Sequence, residues 1–563
     1  MLRTILLLVF VLVAKAPVTL AHNVQEEPFD LVLWNGRIVT VDDSPAEVGA
    51  IGILGDRIAA LGSREELASR VGESTRVIDL AGRLAVPGFI EGHAHFLGIG
   101  EMKLQLDLMT VRSWEEIVAL VADAAKRAKP GELIRGRGWH QEKWDRLPKD
   151  AVDGLPVHTA LSAVSPRNPV LLTHASGHAT FANARAMEMC NISGATEAPP
   201  GGEIVLDANG DPIGVFRETA AALLFRARQG HVAPDPERVV ELATQEVLSK
   251  GVTSFHDAGS SFEDAALLSR MAIEGRLGVR VWMMLRESVG RLRKRLPELP
   301  RDPRAKPFFV VGGIKRSIDG ALGSHGAWLL EPYTDLPESS GLNTVSVEEV
   351  EEVAQIALEH ELQLCVHAIG DRANRETLDI FERAFRANPD KRDLRWRIEH
   401  AQHLHPDDIA RFAQLGVLAC VQGVHCTSDG PWVPERLGEK RSREGAYVWR
   451  DLIDSGAILI NGTDAPVEDV DPLASFRATV TRRTKDGSLF YPDQRMTRME
   501  ALRSYTRHAA YAAFQEKEKG TLAVGKLADI TVISHDILQL PDDELGKAKI
   551  DATIVGGVVA FER

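Results

Sequence analysis

The sequence has few cysteines, a deficit of positive charge and no long apolar run beyond its first residues. Four cysteines occur in 563 residues, too few for a disulfide framework, and none forms a Cys-x-x-Cys pair for metal or redox chemistry. The formal net charge of −14 argues against nucleic acid or an acidic membrane surface as a partner. What remains is a globular chain long enough for two or three domains and a large core.

The first residues have the features of a secretory signal peptide. The segment begins with the basic Met1-Leu2-Arg3, continues with an apolar run too short to cross a bilayer comfortably, and ends with the small residues of Thr19-Leu20-Ala21. We therefore expect residues 1–21 to be cleaved and the protein to be periplasmic or secreted. No membrane contact beyond export is expected.

Both ends of the mature chain are rich in predicted β-strands. Residues 30–41 predict a hairpin around Asn35-Gly36, residues 51–61 predict another around Gly55-Asp56, and residues 528–560 predict three more strands. Two short strand-rich segments cannot each bury a core of their own. We therefore predict that residues 22–86 and 518–563 form one composite β-sandwich domain.

Between these ends, apolar strands alternate with amphipathic helices. The helix predicted from Ser346 to Leu358 begins with a capping-box pattern, Ser346 with Glu349. Eight such units predict an α/β fold, a (β/α)8 TIM-like barrel over residues 87–517. The alternative, an open doubly wound sheet, lacks the expected Gly-rich phosphate turn. The strand candidates are Leu84–Ile90, Val252–Phe255, Val279–Leu285, Phe308–Ile314, Leu362–Val366, Leu394–Ile398, Val417–Val421 and Ala457–Ile460.

Two long connections are predicted to surround the mouth of this barrel. Residues 97–245 are too many for one βα connection, so we interpret them as an insertion that helps wall the substrate pocket, with a hairpin around Asn209-Gly210. The segment from His425 to Gly445 follows strand seven. It is interpreted either as a lid or as a solvated loop.

Potential metal ligands stand at the ends of five of the predicted strands. His93 and His95 form a His-x-His pair, and residues i and i+2 of an extended strand point to the same side. Neutral imidazoles in this arrangement suit zinc and similar ions. Catalytic residues of such barrels cluster at the carboxyl ends of the strands. The further candidates, after strands four, five, six and eight, are Lys315, His367, His400 and Asp464.

These segments together resemble the amidohydrolase superfamily. They are especially similar to the amidohydrolase family 3 branch that includes N-substituted formamide deformylase-like proteins. One departure is Glu91, where many relatives have aspartate. The matching segments are Pro87-Gly88-Phe89-Ile90, His93-Ala94-His95, Lys315-Arg316-Ser317-Ile318-Asp319-Gly320, His367-Ala368-Ile369-Gly370-Asp371, Glu399-His400-Ala401-Gln402, Gly462-Thr463-Asp464-Ala465-Pro466 and Gly525-Lys526-Leu527-Ala528-Asp529.

The resemblance implies a metal-dependent hydrolase of non-peptide carbon–nitrogen bonds, of amide or N-formyl type, that uses a metal-activated hydroxide. His93, His95 and Asp464 would hold one divalent ion, and His367 and His400 a second. Carboxylated Lys315 would bridge the two ions, and the alternative is a mononuclear site beside an unmodified lysine. Zinc is the expected metal, with manganese and iron as alternatives. Asp464 would take a proton and deliver it to the leaving nitrogen.

The substrate contacts are predicted from weaker signals. His178 is a candidate to orient the substrate carbonyl, and a packed loop histidine is the equal alternative. Asn183, Trp139 and Asp319 are further substrate-binding candidates. The partner is a small-molecule substrate, nucleic acid is not expected, and a homodimer is left open. A hydrolytic deaminase, an ester or lactone hydrolase, and an exported binding protein that has lost catalysis are the alternative functions.

Overall fold

The computed structural model describes residues 27–229, 234–299 and 303–563. The predicted signal peptide, residues 1–21, lies outside the described residues. Within the described ranges, no helix combines the length and the apolar character needed to cross a membrane.

The N-terminal residues build one part of a small β domain. A short helix, α1 (Arg64–Ala68), begins with a capping box in which Ser63 and Glu66 bond each other's backbone N–H. The strands on either side of this helix are β1 (Leu31–Val39), β2 (Glu47–Leu54), β3 (Arg57–Gly62), β4 (Arg76–Asp79) and β5 (Leu84–Pro87).

The hairpin predicted around Asn35-Gly36 is wrong, because these residues form a bulge inside β1. The register of β1 against β2 shifts between Trp34 and Ile38. Asn35 has a φ of 59°, a left-handed value that asparagine tolerates. A Cβ added at Gly36 would lie 2.4 Å from the Cβ of Leu80, so the close approach requires glycine. The bulge lets β1 pair with β4 along its first half and with β5 along its second.

The first predicted barrel strand, Leu84–Ile90, is in fact divided between two sheets. Its first half is β5, and its second half begins β6 (Phe89–Ala94), the first strand of the barrel. Gly88 lies between them, where an added Cβ would lie 2.2 Å from Thr253 Oγ1. The chain therefore passes from the β domain into the barrel at a position that only glycine fits.

The insertion carries a sheet of its own, in the order β11-β12-β10-β9-β8-β7. The predicted hairpin around Asn209-Gly210 is present as the antiparallel pair β11 and β12. The strands are β7 (Leu106–Asp107), β8 (Ile134–Trp139), β9 (Val170–His174), β10 (Ala179–Ala182), β11 (Gly202–Leu206) and β12 (Pro212–Glu218). The helices are α2 (Phe96–Met102), α3 (Trp114–Arg127), α4 (Thr159–Val164), α5 (Ala184–Met189) and α6 (Phe225–Arg228).

The remaining barrel strands are parallel and run from β13 to β19, beside β6, which confirms the predicted barrel. They are β13 (Val252–Ser260), β14 (Arg280–Leu285), β15 (Phe309–Ser317), β16 (Gln363–Ala368), β17 (Arg397–His400), β18 (Leu418–Gln422) and β19 (Leu459–Gly462). The helices among them are α7 (Pro236–Ser249), α8 (Phe262–Ile273), α9 (Val289–Arg295), α10 (Val347–Glu359), α11 (Asp371–Ala387), α12 (Pro406–Leu415), α13 (Gly423–Asp429), α14 (Val433–Gly445), α15 (Trp449–Asp454) and α16 (Pro472–Thr481).

Glu91 joins the first and the last barrel strands. Its buried carboxylate accepts hydrogen bonds from the backbone N–H of Thr463, at 2.7 Å, and from the Thr463 hydroxyl, at 3.0 Å. The backbone N–H of Asp464 also donates to the carbonyl oxygen of His93, at 2.7 Å. The same contacts that bring the barrel close to closure therefore set Asp464 beside His93.

The C-terminal strands complete the sheet that the N-terminal strands begin. The order is β22-β21-β20-β5-β1-β2-β3, with β4 beside β1, so β5 pairs directly with β20. One apolar core combines residues from both ends of the chain, among them Leu33, Ile53 and Val532. The last elements are α17 (Arg498–Ser504), α18 (Arg507–Ala512), β20 (Ile530–Ile533), β21 (Ile550–Val555) and β22 (Val558–Glu562).

A buried ion pair links the barrel to this sheet, and its loss is expected to be costly. Arg280 begins β14 and donates to both carboxylate oxygens of Asp529, at 2.8 and 3.0 Å. Asp529→Ala should lower the free energy of unfolding by about 3–5 kcal/mol, because it leaves a buried guanidinium without its counter-charge. As a control, Glu562→Ala breaks only the exposed pair with Arg76 and should cost about 1 kcal/mol or less. Urea unfolding measures both variants, and equal losses would contradict the prediction.

Candidate metal centre

The six predicted ligands all line one cleft at the carboxyl ends of the barrel strands. Each comes from a different position on the barrel, but the strand geometry directs all six side chains to the same opening. They are His93 in β6, His95 directly after β6, Lys315 in β15, His367 in β16, His400 at the end of β17, and Asp464 two residues after β19.

Asp464 lies between the two histidines of the His-x-His pair. Its Oδ1 is 3.5 Å from His93 Nε2 and 3.2 Å from His95 Nε2. Lys315 Nζ lies 3.4 Å from the same nitrogen of His93. The amine that was predicted to bridge two ions is thus in direct reach of the first ligand group.

His367 and His400 lie beside this group. Their ring centroids are 4.4 Å apart, and the centroid of His400 is 4.8 Å from that of His93. Ligand atoms of His93, His400 and Asp464 lie within 4.8 Å of one another. Asp464 Oδ1 and His367 Nε2 are buried and form no hydrogen bond of good geometry, although His95 Nε2 lies 3.2 Å from the first and Asp319 Oδ1 3.5 Å from the second. Since buried polar atoms are normally paired, these unpaired acceptors, with the nearby imidazoles, fit a site for divalent ions.

The protonation states also suit a metal. Burial lowers the pKa of His95 to about 4, and it lowers those of His367 and His400 well below the ordinary value. Burial also lowers the pKa of the Lys315 amine. Although burial opposes the charge of Asp464, the adjacent imidazoles of His93 and His95 hold its pKa well below the usual range. His95, His367 and His400 therefore favour the neutral form and Asp464 the ionised form, and these are the forms that bind a cation.

Polar groups behind the histidines fix their ring orientations. Glu399 contacts Nδ1 of His93, which leaves Nε2 for the cleft. Arg397 holds this carboxylate with two hydrogen bonds, of 2.7 and 3.0 Å. His400 Nδ1 lies 2.7 Å from the side-chain oxygen of Gln422. Such partners orient metal-binding imidazoles and strengthen them as ligands.

The backbone is strained at two of the six residues. His400 has a φ of 79° and Asp464 a φ of 57°, in a region that non-glycine residues seldom occupy. Each such residue costs about 1–3 kcal/mol and persists where the surrounding structure imposes it. The strain coincides with the side chains that converge on the cleft, as is typical of a functional site.

His178 reaches the cleft from the insertion. Its ring centroid is 5.7 Å from that of His367, and its Nδ1 lies 2.9 Å from Glu218 Oε2. Burial opposes the imidazolium, but the Glu218 carboxylate outweighs burial and the pKa of His178 is raised. With Nδ1 on the carboxylate, Nε2 is the nitrogen free to donate to a substrate oxygen.

Two of the predicted substrate contacts are wrong, and a third has a different role. Trp139 is fully buried and donates to Leu172 O, at 2.9 Å. Asn183 is also fully buried, and its amide caps α5 and bonds the surrounding backbone. Neither side chain lines the cleft. Asp319 reaches the cleft, but its buried carboxylate accepts three backbone N–H groups from the segments before and after His367, so it holds the surrounding loops in place.

The cleft has two lobes that share His178, His367, His400 and Asp464. One lobe also contains the remaining predicted ligands, which are His93, His95 and Lys315. The other is closed on one side by residues of α13 and by Trp432, which immediately precedes α14. The segment from His425 to Gly445 is mainly helical and forms a wall of the pocket. Of the two predicted alternatives, a lid or a solvated loop, the solvated loop is wrong.

Sequence analysis missed several residues of the site. Glu218 ends a hairpin strand and lies 40 residues from His178 in sequence. Arg397 and Glu399 are two residues apart on one strand, so their side chains point to the same side. This spacing could have connected Arg397 to the matched Glu399-His400 segment. Arg137 and Arg286 also line the lobe that contains the metal ligands.

An eight-stranded parallel barrel that gathers histidines, a lysine and an aspartate at the carboxyl ends of its strands defines a class of barrel hydrolases. A family model described as the amidohydrolase family matches residues 76–561. The chain belongs to this family and is a hydrolase of its superfamily.

Individual relatives match nearly the whole chain. Protein LONG AFTER FAR-RED 3 of Arabidopsis thaliana is 33% identical over 550 residues, which cover 94% of this chain and 91% of that protein. N-substituted formamide deformylase of Arthrobacter pascens is 27% identical over 548 residues, 95% of this chain and 98% of that protein. The crystal structure of an uncharacterized metal-dependent hydrolase from Pyrococcus horikoshii is 26% identical, has a TM-score of 0.72, and covers 91% of this chain and 99% of its own.

Proposed function

We propose that this protein is a metal-dependent hydrolase of non-peptide carbon–nitrogen bonds, of amide or N-formyl type. The observation that carries the proposal is the convergence of Asp464 and His367 with three more imidazoles and the Lys315 amine. Asp464 Oδ1 and His367 Nε2 are buried and form no hydrogen bond of good geometry. The bond type is supported by the similarity to N-substituted formamide deformylase.

His93, His95 and Asp464 would hold one ion, and His367 and His400 a second, with Lys315 between them. The Lys315 ammonium would first lose one proton to solvent; the neutral Nζ would then form a bond to the carbon of carbon dioxide and lose a second proton. This reaction exchanges an ammonium, which cannot bind a cation, for an anionic carbamate with two oxygen donors. The position of Nζ, 3.4 Å from His93 Nε2, supports the bridge.

A divalent ion held there would supply a Lewis acid and would lower the pKa of water. The chain's own groups position the substrate and move protons. His178, oriented by Glu218, would donate from Nε2 to the substrate carbonyl oxygen, where negative charge develops. Asp464 would accept the proton of the attacking water at its carboxylate and deliver it to the leaving nitrogen.

The proposal is tested by metal analysis combined with a substrate screen. We expect purified protein to bind two divalent ions per chain, and to release amines from N-formyl and N-acyl compounds after stripping and reloading with zinc, manganese or iron. Ammonia release from amino-heterocycles would favour a deaminase instead, and cleavage confined to esters or lactones would favour that class. Protein that binds no divalent metal and hydrolyses none of these compounds would contradict the proposal and support a binding protein.

A further inference from the structure

Two arginines in the lobe that contains the metal ligands have no carboxylate partner. Arg137, in β8, donates to Ala175 O at 3.3 Å, and its Nε is buried without any partner. Arg286 follows β14 directly and donates to Ser317 Oγ at 3.3 Å. Within the described ranges, neither guanidinium forms an ion pair with a side-chain carboxylate.

Of the three arginines that line this lobe, Arg137 and Arg286 are the two without an ion pair. Arg316, at the edge of the same lobe, is paired with Glu349 at 3.5 Å, and nearby Arg291 is paired with Glu287 at 2.7 Å. Carboxylates act on Arg137 and Arg286 at longer range, among them Glu101, Glu218 and Asp464, but none forms an ion pair with either guanidinium within the described ranges. Because a partly desolvated charge is costly unless it is paired, two such groups facing one cleft indicate an anionic ligand.

Both arginines lie close to the reacting centre. A Cβ placed on Gly259 would be 3.0 Å from Arg286 Cβ and 3.4 Å from Lys315 Cγ, so the stems of Arg286 and Lys315 lie side by side. On the insertion, a Cβ placed on Gly177 would be 3.4 Å from Arg137 Nη2, so this guanidinium lies beside the residue that precedes His178. A group held by both arginines would therefore lie in the same lobe as the six predicted ligands.

The other lobe has an apolar part of its lining. Leu322, Ile369 and Trp432 line it, and its lysine, Lys143, is already paired with Glu468 at 2.8 Å. A substrate that spans both lobes would place an apolar group there and its charged group beside the arginines. The scissile bond would lie between them, near His367, His400 and Asp464.

We propose that the substrate carries a carboxylate, which Arg137 and Arg286 bind, and an apolar group on the other side of the scissile amide. The preferred substrates are then N-formyl or N-acyl derivatives of apolar amino acids. A carboxylate suits the site because it can accept two parallel hydrogen bonds from a planar guanidinium. The inference rests on the proposed hydrolysis of carbon–nitrogen bonds.

The test compares two substrates that differ only in the carboxylate, N-formylphenylalanine (both enantiomers) and N-formylphenethylamine. The metal-loaded wild type should have a higher kcat/KM for one enantiomer of the acid. Arg137→Gln and Arg286→Gln should each lower that value by about 10- to 100-fold, mainly through KM, and change the value for the neutral compound by less than about threefold. Arg293→Gln, which removes an exposed pair with Glu352, is the matched control and should change neither.

A binding measurement separates this inference from the proposed function. By calorimetry, metal-free wild type should bind the preferred N-formylphenylalanine enantiomer, and each glutamine variant should bind it at least about 10-fold more weakly. Such binding without any hydrolysis would uphold the anion site and count against the hydrolase. Hydrolysis of the neutral compound without preference for the acid would uphold the hydrolase and overturn the anion site.

Two further results would also overturn the anion site. One is an equal loss on both substrates in the glutamine variants, which would assign the arginines to the reaction itself. The other is a loss in the glutamine variants that comes with a lower melting temperature, while Arg137→Lys and Arg286→Lys fold normally but do not recover the KM for the acid. Recovery of that KM in folded lysine variants is the result that supports a charge-binding role.

Discussion

Lys315→Ala is expected to lower the metal content from two ions per chain to one or fewer and to reduce turnover by about two orders of magnitude or more. Lys315 lies inside β15, almost fully buried, and its amine points to His93 Nε2 at 3.4 Å. Alanine removes the only lysine among the cleft's six predicted ligands. Without a bridge, the positive charges of two ions would repel each other with less compensation.

Metal content per chain and turnover are measured on the same preparation. Lys250→Ala removes a lysine that is paired with Asp469 away from the cleft, so it should keep both metals and normal turnover. Small carboxylic acids added to Lys315→Ala should restore part of the activity by replacing the carbamate oxygens. A variant that keeps two metals and normal turnover would show that the bridged mechanism is wrong.

The parts of the fold that the sequence predicted well are those with strong local patterns. The barrel strands are continuous apolar runs, and most of the predicted boundaries lie within a few residues of the observed ones. The capping pattern at Ser346 also predicted a real helix, in which the Ser346 side chain accepts from Glu349 N–H. The six candidate ligands converge because barrel topology brings strand ends together, and this requires no knowledge of individual contacts.

The errors occurred where tertiary contacts decide local structure. Asn35-Gly36 has the composition of a hairpin turn, but Leu80 packs against Gly36 and the chain continues as a bulged strand. Trp139 and Asn183 stand in conspicuous segments of the insertion, yet both are buried in its own structure. Sequence alone does not distinguish a polar residue that bonds the backbone from one that faces a pocket.

Arg137 and Arg286 show the converse case, in which the sequence did not identify residues that do face the pocket. Arg137 lies in a Gly-rich strand of the insertion and Arg286 lies at the end of the third barrel strand, so nothing local connects them. The chain holds many arginines, and most of those in the described ranges are paired. What marks these two is the lack of an ion pair combined with a position inside the cleft, which only the three-dimensional arrangement reveals.

Asp464→Asn should reduce turnover by about 10²- to 10⁴-fold while part of the metal remains bound. Asparagine keeps one carbonyl oxygen as a ligand but cannot accept the proton of the attacking water. The backbone should be unaffected, because asparagine tolerates the φ of 57° at this position as well as aspartate does. The N–H of residue 464 would still donate to His93 O, so the closure of the barrel would be preserved.

The dependence on the leaving group distinguishes proton delivery from loss of metal. If Asp464 protonates the leaving nitrogen, the variant should lose most activity on alkyl amides, whose amines leave only when protonated, and less on anilides with electron-withdrawing groups. Asp469→Asn, an exposed change five residues away, is the matched control and should leave both rates unchanged. Metal content that falls in parallel with turnover, or an equal loss on every leaving group, would assign Asp464 to metal binding alone.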